Sequence, residues 1–184
     1  MRLLEKEKKY TVEDYEKLPE GSPYQLIEGE LIMSPSPSFE HFRTSKKVFI
    51  RLYRLLEEAG KGEVIYAPLD LYLDEENVYQ PDIMVVLKGS KAKITSKGVY
   101  GPPDVVVEIL SPSNAYYDLI VKKENYQKAG VREYWIIDPL RESFEIYENT
   151  EKGFMLTSSA REKGKVFSKV LELELDLSEI FKEV

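Results

Sequence analysis

Two carboxylates stand at costly positions in this chain. In QPDIMVVL, Asp82 opens an apolar run just after Pro81, and in DVVVEILSPSN, Glu108 interrupts a run of β-branched and aliphatic residues. Residues two apart on a strand share a face, so Asp104, Val106, Glu108 and Leu110 point one way and Val105, Val107 and Ile109 the other. Both faces are largely apolar, the pattern of a strand covered on both sides. An ionised carboxylate in such a strand is destabilising unless a cation or hydrogen bonds compensate it. Two such acids on neighbouring strands, near where the strands diverge, can share a hard divalent cation such as magnesium, with waters completing its shell. The chemistry would be that of phosphates: a cation so held orients an attacking water, lowers its pKa and neutralises charge on the scissile group. Asp82 taken alone reads equally well as a turn residue at the start of a strand.

A nearby lysine would complete the set. In DLIVKKENY, Asp118, Lys122 and Tyr126 are spaced i, i+4 and i+8, so they share one face of a helix that directly follows the Glu108 strand. By spacing alone, Asp118 and Lys122 read as an exposed ion pair of the kind common on helices, worth about 0.2–0.5 kcal/mol. Glu28 and Glu30 flank Gly29, and exposed hairpin charges are the plain reading of at least one of them. His41 is the single histidine of the chain, and a lone histidine is more often structural than functional.

The elements that must carry these residues follow from pattern. TVEDYEKL reads as a short helix with Thr11 as N-cap and Asp14 closing a capping box. Tyr24 to Glu28 and Glu30 to Met33 form a hairpin about Gly29, and SPSPS precedes a long amphipathic helix from Phe39 to Ala59 that Gly60 ends. Strands are expected around Glu63 to Ala67, Leu69 to Leu73, Asp82 to Leu87 and Asp104 to Leu110. Ala115 to Ala129 reads as a helix stopped by Gly130, VREYWIID as a strand and FEIYENTEKGFMLTS as a hairpin. LELELDLSEIF closes the chain with a strand and a short helix. The order of helix, strands, helix, strand predicts a mixed α/β sheet covered by at least two helices.

Composition narrows the class. With 184 residues, 42% of them hydrophobic, the chain can bury a core, and it is expected to fold as one domain. That domain divides into an N-terminal helical appendage over 1–22, a core over 23–150 and a C-terminal hairpin with a short helix over 151–184. No apolar stretch approaches the roughly 20 residues needed to span a bilayer, and MRLLEKEKKY lacks a secretory hydrophobic segment, so a cytoplasmic protein without membrane contact is expected. The absence of cysteine removes disulfides, thiolate nucleophiles and sulfur-ligated zinc. The sequence has no GxSxG elbow and no P-loop, and one histidine cannot build a common zinc site. A net charge of −7 argues against nucleic-acid binding by bulk electrostatics. Local charge differs: LKGSKAKITSKG concentrates Lys88, Lys91, Lys93 and Lys97, and Arg43, Lys46, Lys47, Arg51 and Arg54 load one helix. Taken singly, either segment reads as solvated charge.

A Pro-Asp pair opening one strand, then a Glu within an apolar strand on an α/β scaffold, resembles the PD-(D/E)XK nuclease superfamily. More closely, the segments YQLIEGEL, PSPSFEH, QPDIMVV, DVVVEILSPS and DLIVKKENYQKAGVREYWIIDP, in this order from Tyr24 to Ile146, resemble the Uma-two family of restriction-endonuclease-like proteins. The resemblance implies a restriction-endonuclease-like fold, with a mixed central β-sheet flanked by helices and added hairpins. It also implies a metal-dependent DNA endonuclease in which Asp82 and Glu108 bind Mg2+, or Mn2+ in its place, and a lysine assists.

The superfamily pattern places that lysine two residues after the Glu, where this chain has Leu110. The resemblance therefore assigns it to the following helix, as Lys122 with Lys123 the second choice. Weaker site candidates are Glu30, His41 and Gln25, the last standing where the family usually has a Glu. Lys88, Lys91, Lys93 and Lys97 would hold the DNA backbone, and such nucleases commonly act as homodimers. The alternative is a catalytically silent DNA-binding or partner-binding module on the same fold, favoured by the displaced lysine, by Gln25 and by the acidic net charge.

Overall fold

The computed structural model describes residues 9–182, so residues 1–8 of the expected N-terminal appendage lie outside the described residues. The first helix, α1 (Val12–Tyr15), starts at Thr11, whose backbone N–H and hydroxyl both donate to the Asp14 carboxylate, at 3.1 and 3.2 Å. It is shorter than the pattern suggested, giving way to turns ahead of Pro19. The hairpin of β1 (Tyr24–Ile27) and β2 (Glu30–Met33) closes through Glu28 and Gly29, both at positive φ (51° and 81°). Two consecutive left-handed residues are what a tight two-residue hairpin turn demands.

The long helix forms as α2 (Phe39–Leu52) and continues through a π-helical turn, Tyr53–Glu57. Then follow β3 (Gly62–Tyr66), β4 (Leu71–Asp74), β5 (Asn77–Tyr79), β6 (Ile83–Leu87), β7 (Lys93–Ile94), β8 (Val99–Tyr100) and β9 (Val105–Ile109). A second π-helical turn, Tyr117–Val121, leads into α3 (Lys122–Ala129), which ends at Gly130 in the left-handed conformation. The chain closes with β10 (Glu133–Asp138), β11 (Ser143–Thr150), β12 (Gly153–Arg161), β13 (Lys165–Ser168), β14 (Leu173–Asp176) and α4 (Leu177–Phe181).

The architecture is mixed α/β, as the sequence pattern predicts. The central sheet runs β12-β11-β10-β9-β6-β3, with β9 and β10 parallel and the other neighbours antiparallel. A single mixed sheet with hairpins was expected. The structure adds a second six-stranded sheet, β2-β1-β5-β4-β8-β7, which recruits the first hairpin and two short strands, one inside the Lys-rich segment and one directly after it. Strands of two and three residues carry too little alternation to be read from sequence.

Both faces of β9 are covered. Val105, Val107 and Ile109 pack with Val48 and Leu52 of α2, with Leu56 of the π-helical turn that continues it, and with Leu177, Ile180 and Phe181 of α4. Val106, on the face of Glu108, packs with Met84, Tyr126, Tyr134 and Ile136 in a second buried cluster. Each fully buried aliphatic side chain contributes about 1.5–3 kcal/mol, which fixes strand register here because a slip of one residue would exchange the two faces. Parallel pairing of β9 with β10 needs a crossover, and α3 supplies it, lying over the face that bears Glu108.

Candidate functional site

The geometry starts from the antiparallel pairing of β6 and β9, in which Ile83 stands opposite Val107. Asp82, just ahead of β6, is thereby brought level with Glu108. The Ile109 backbone N–H donates to Asp82 Oδ2 at 2.7 Å, and the Asp82 N–H makes a long 3.4 Å bond to Glu108 Oε2. The two acids are thus clamped together by the ladder itself.

Above Glu108 lies the face of the crossover helix. Lys122 Nζ donates to Glu108 Oε1 at 3.1 Å and sits 3.0 Å from Asp118 Oδ1, while the Tyr126 hydroxyl donates to Glu108 Oε1 at 2.8 Å. These side chains are almost wholly enclosed: Glu108 is 2% exposed, Asp118 3% and Lys122 4%. The expectation of an exposed Asp118–Lys122 pair is therefore corrected. The spacing was right, but the face carrying it is turned onto the sheet, because Glu108 offers the cation a buried anion to meet. The Lys122 ammonium also lies 5.7 Å from the Tyr79 ring centroid, and Tyr79 is fixed by hydrogen bonds with Asn77 and Asn125.

Electrostatics follow from this enclosure. Burial, opposed by Lys122 and reinforced by the charges of Asp118 and Asp82, pushes the Glu108 carboxyl up to about 8. Asp118 is raised as well, again chiefly by burial. Burial would lower Lys122, but Glu108 and Asp118 override it and hold the ammonium above its ordinary range. His41 Nε2 lies 3.2 Å from Asp82 Oδ2. Burial disfavours the imidazolium, yet the bond to Asp82 and the nearby Glu108 charge raise the His41 pKa on balance.

These groups open onto a cleft of about 580 Å3, walled on one side by Ser34 to Ser38 and on the other by Ser111 to Asn114. Asp82, Glu108, Lys122 and His41 are all brought together on it. Gln25 reaches the same cleft, but both ends of its amide are engaged, by Ser34 Oγ at 2.7 Å and by the Gln80 N–H at 2.9 Å, so it braces the wall. Glu30 is exposed at the start of β2 and does not line the cleft. Lys123 points elsewhere, half-buried with its ammonium 3.3 Å from the Tyr147 ring centroid.

The Lys-rich segment leaves the end of β6 remote from Asp82, so Lys88 and Lys91 lie roughly 16 Å of strand away from the acids. Lys97 is paired with Glu16 at 3.0 Å. Asp118 and Tyr126 were not singled out as site residues. Their signal was present in the shared helical face, once that face is required to cover a strand with a buried acid.

Among the described residues, no group of three or more His, Cys, Asp or Glu side chains is arranged to hold a metal. A smaller donor set nevertheless suits magnesium, which commonly takes one or two carboxylates and keeps several waters. The described hydrogen bonds occupy Asp82 Oδ2 and Glu108 Oε1, and Glu108 Oε2 receives only the long bond. Oxygen lone pairs on both acids remain for a hard cation. With Asp82, Glu108 and Asp118 ionised, three buried or half-buried acids would face Lys122 and His41, and a divalent cation would offset the charge that remains.

Fold and site together define a restriction-endonuclease-like α/β protein. The chain belongs to the Uma2 family, described as "Putative restriction endonuclease", which it matches over residues 12–179. It is 28% identical over 148 residues to "Uncharacterized protein sll1609" of Synechocystis sp., covering 77% of this chain and 81% of that protein. Its fold is similar to the crystal structure of "a putative nuclease belonging to DUF820" from Anabaena variabilis, with a TM-score of 0.76 and 20% identity over 93% of this chain and 97% of the other.

Proposed function

We propose that the chain is a magnesium-dependent DNA endonuclease whose working groups are Asp82, Glu108 and Lys122. The observation that carries this reading is the junction of Asp82 with a buried Glu108 that shares its carboxylate with a lysine on the lip of a cleft. When bound between the two carboxylates, magnesium would supply Lewis acidity toward the scissile phosphate and its water. The protein does the rest. Asp82 is held by the Ile109 N–H and by His41, which fixes its carboxylate at the mouth of the strand. Glu108 is aimed by Tyr126, and Lys122 offers a fixed positive charge to the oxygens that gain charge as water adds to phosphorus and the ester oxygen leaves with the proton. We place the Lys-rich segment against DNA outside the cleft, beyond the cut, and we propose a homodimer so that both strands can be cleaved.

A second reading is favoured by one observation: Lys122 and Tyr126 already satisfy Glu108, as in a binding module that needs no metal. Calorimetric titration with Mn2+ beside Asp82→Ala and Glu108→Ala separates the two. Wild-type binding lost in either folded variant supports the nuclease, and DNA cleavage in the same buffers should then follow. Absence of Mn2+ binding, with and without DNA, leaves the binding module.

A further inference from the structure

Lys122 is held by two anions, and the site as proposed needs only one of them. Its ammonium lies 3.1 Å from Glu108 Oε1 and 3.0 Å from Asp118 Oδ1. Asp118 is nearly as buried as Glu108 and lines the same cleft, and its Oδ1 is paired with the Lys122 ammonium. A second buried carboxylate beside a lysine that already has Glu108 is costly to place there and calls for a reason. Its backbone is pinned: the Asp118 N–H donates to the Asn114 carbonyl at 3.1 Å, and the buried Tyr134 hydroxyl donates to the Asp118 carbonyl at 2.8 Å. The carboxylate is thus set one helical turn ahead of the lysine on a segment that cannot swing away.

The conflict it resolves is between two cations. A divalent ion on Glu108 and an ammonium on the same buried carboxylate repel one another at a few ångströms. With Glu108 as its sole anion, Lys122 would have to compete with the metal or leave. We propose that Asp118 is a positioning residue: it gives the Lys122 ammonium a second anion to rest on, so that Glu108 can be released to a divalent cation while the lysine stays in the cleft. This assignment rests on the metal-dependent reading above. Asp118 is not a ligand in it. It acts through the lysine.

The test is a double-mutant cycle read by Mn2+ affinity, which needs no knowledge of the DNA substrate. Asp118→Asn should weaken Mn2+ binding about tenfold, because Lys122 falls back on Glu108 and competes with the ion. In the Lys122→Met background there is no ammonium to hold, and adding Asp118→Asn should change the affinity by less than about threefold. Asp118→Glu, which restores the anion, should recover much of the wild-type affinity. Should Lys122→Met fail to fold, Lys122→Gln closes the same cycle. A loss of affinity on Asp118→Asn that is equally large without the lysine would make Asp118 a direct or electrostatic contributor to the metal and overturn the assignment. A wild-type protein that binds no Mn2+ overturns the metal reading first, and this one with it.

Discussion

Glu108→Gln replaces a buried carboxyl by a neutral amide of the same shape, and its effect on stability should depend on pH in a calculable way. In the metal-free fold the Glu108 carboxyl is pushed up to about 8, mainly by burial, from an ordinary value of 4.5. A group whose pKa is raised on folding contributes stability that is present below its unfolded pKa and lost as pH rises through its folded one. The window is therefore from pH 4.5 to about 8. Each pH step across it removes about 1.4 kcal/mol, so roughly 3 kcal/mol is gone by pH 7. His41 and Asp118 are raised too and act in the same direction, but both are present in wild type and variant and largely cancel in the difference. Lys122, raised above its ordinary range, stays charged throughout the window.

Urea unfolding of both proteins in EDTA at pH 5, 6, 7 and 8 reads the difference directly. The variant should gain on the wild type with each step, by roughly 3 kcal/mol between pH 5 and 7.5. A constant gap, or a wild type that gains on the variant as pH rises, would mean that Lys122 and Tyr126 compensate Glu108 fully as a carboxylate, and the reasoning from burial would fail. In Mn2+ the wild-type slope should flatten while that of Glu108→Gln does not.

Two further outcomes are expected. Replacing Lys91 and Lys93 with Glu should weaken DNA binding and reduce the slope of log affinity against log salt by about 2, as loss of two phosphate contacts requires; an unchanged slope removes the Lys-rich segment from the DNA surface. Glu133 is wholly enclosed and accepts from Trp135 Nε1 (2.9 Å), Ser168 Oγ (2.6 Å) and the Val170 N–H (3.0 Å), tying β13 to β10. Glu133→Ala strands these donors and should cost about 3 kcal/mol or more in urea unfolding, with early protease cleavage near β13; a loss under about 1 kcal/mol would show the clip to be dispensable.

The helices, the first hairpin and the apolar strands of the central sheet were legible because each carries its own period or its own turn residues: Gly29 and Gly130 stand where left-handed backbone is needed. The second sheet was not, since β5, β7 and β8 are two- and three-residue strands without a pattern of their own, and β5 and β8 join the sheet through β1 and β4, remote in sequence. For the site, residue types at Asp82 and Glu108 sufficed to raise the possibility of a shared cation. What spacing could not decide was the side of the helix that faces the sheet. Asp118, Lys122 and Tyr126 define a face equally well in solvent or in the core, and only the demand of a buried Glu108 for a cation selects the second.

That demand also explains why the lysine can leave the strand. The position two residues after Glu108 is Leu110, which lines the cleft and packs half-buried against the cluster that contains Tyr126 and Val106. The crossover helix meets the need differently. It must pass over Glu108 to connect two parallel strands, and any residue one turn from Asp118 and one turn from Tyr126 is delivered within hydrogen-bond reach of the carboxylate. The ammonium therefore reaches the same acid from above the sheet, and the helix brings along the second carboxylate that a strand position could not have supplied.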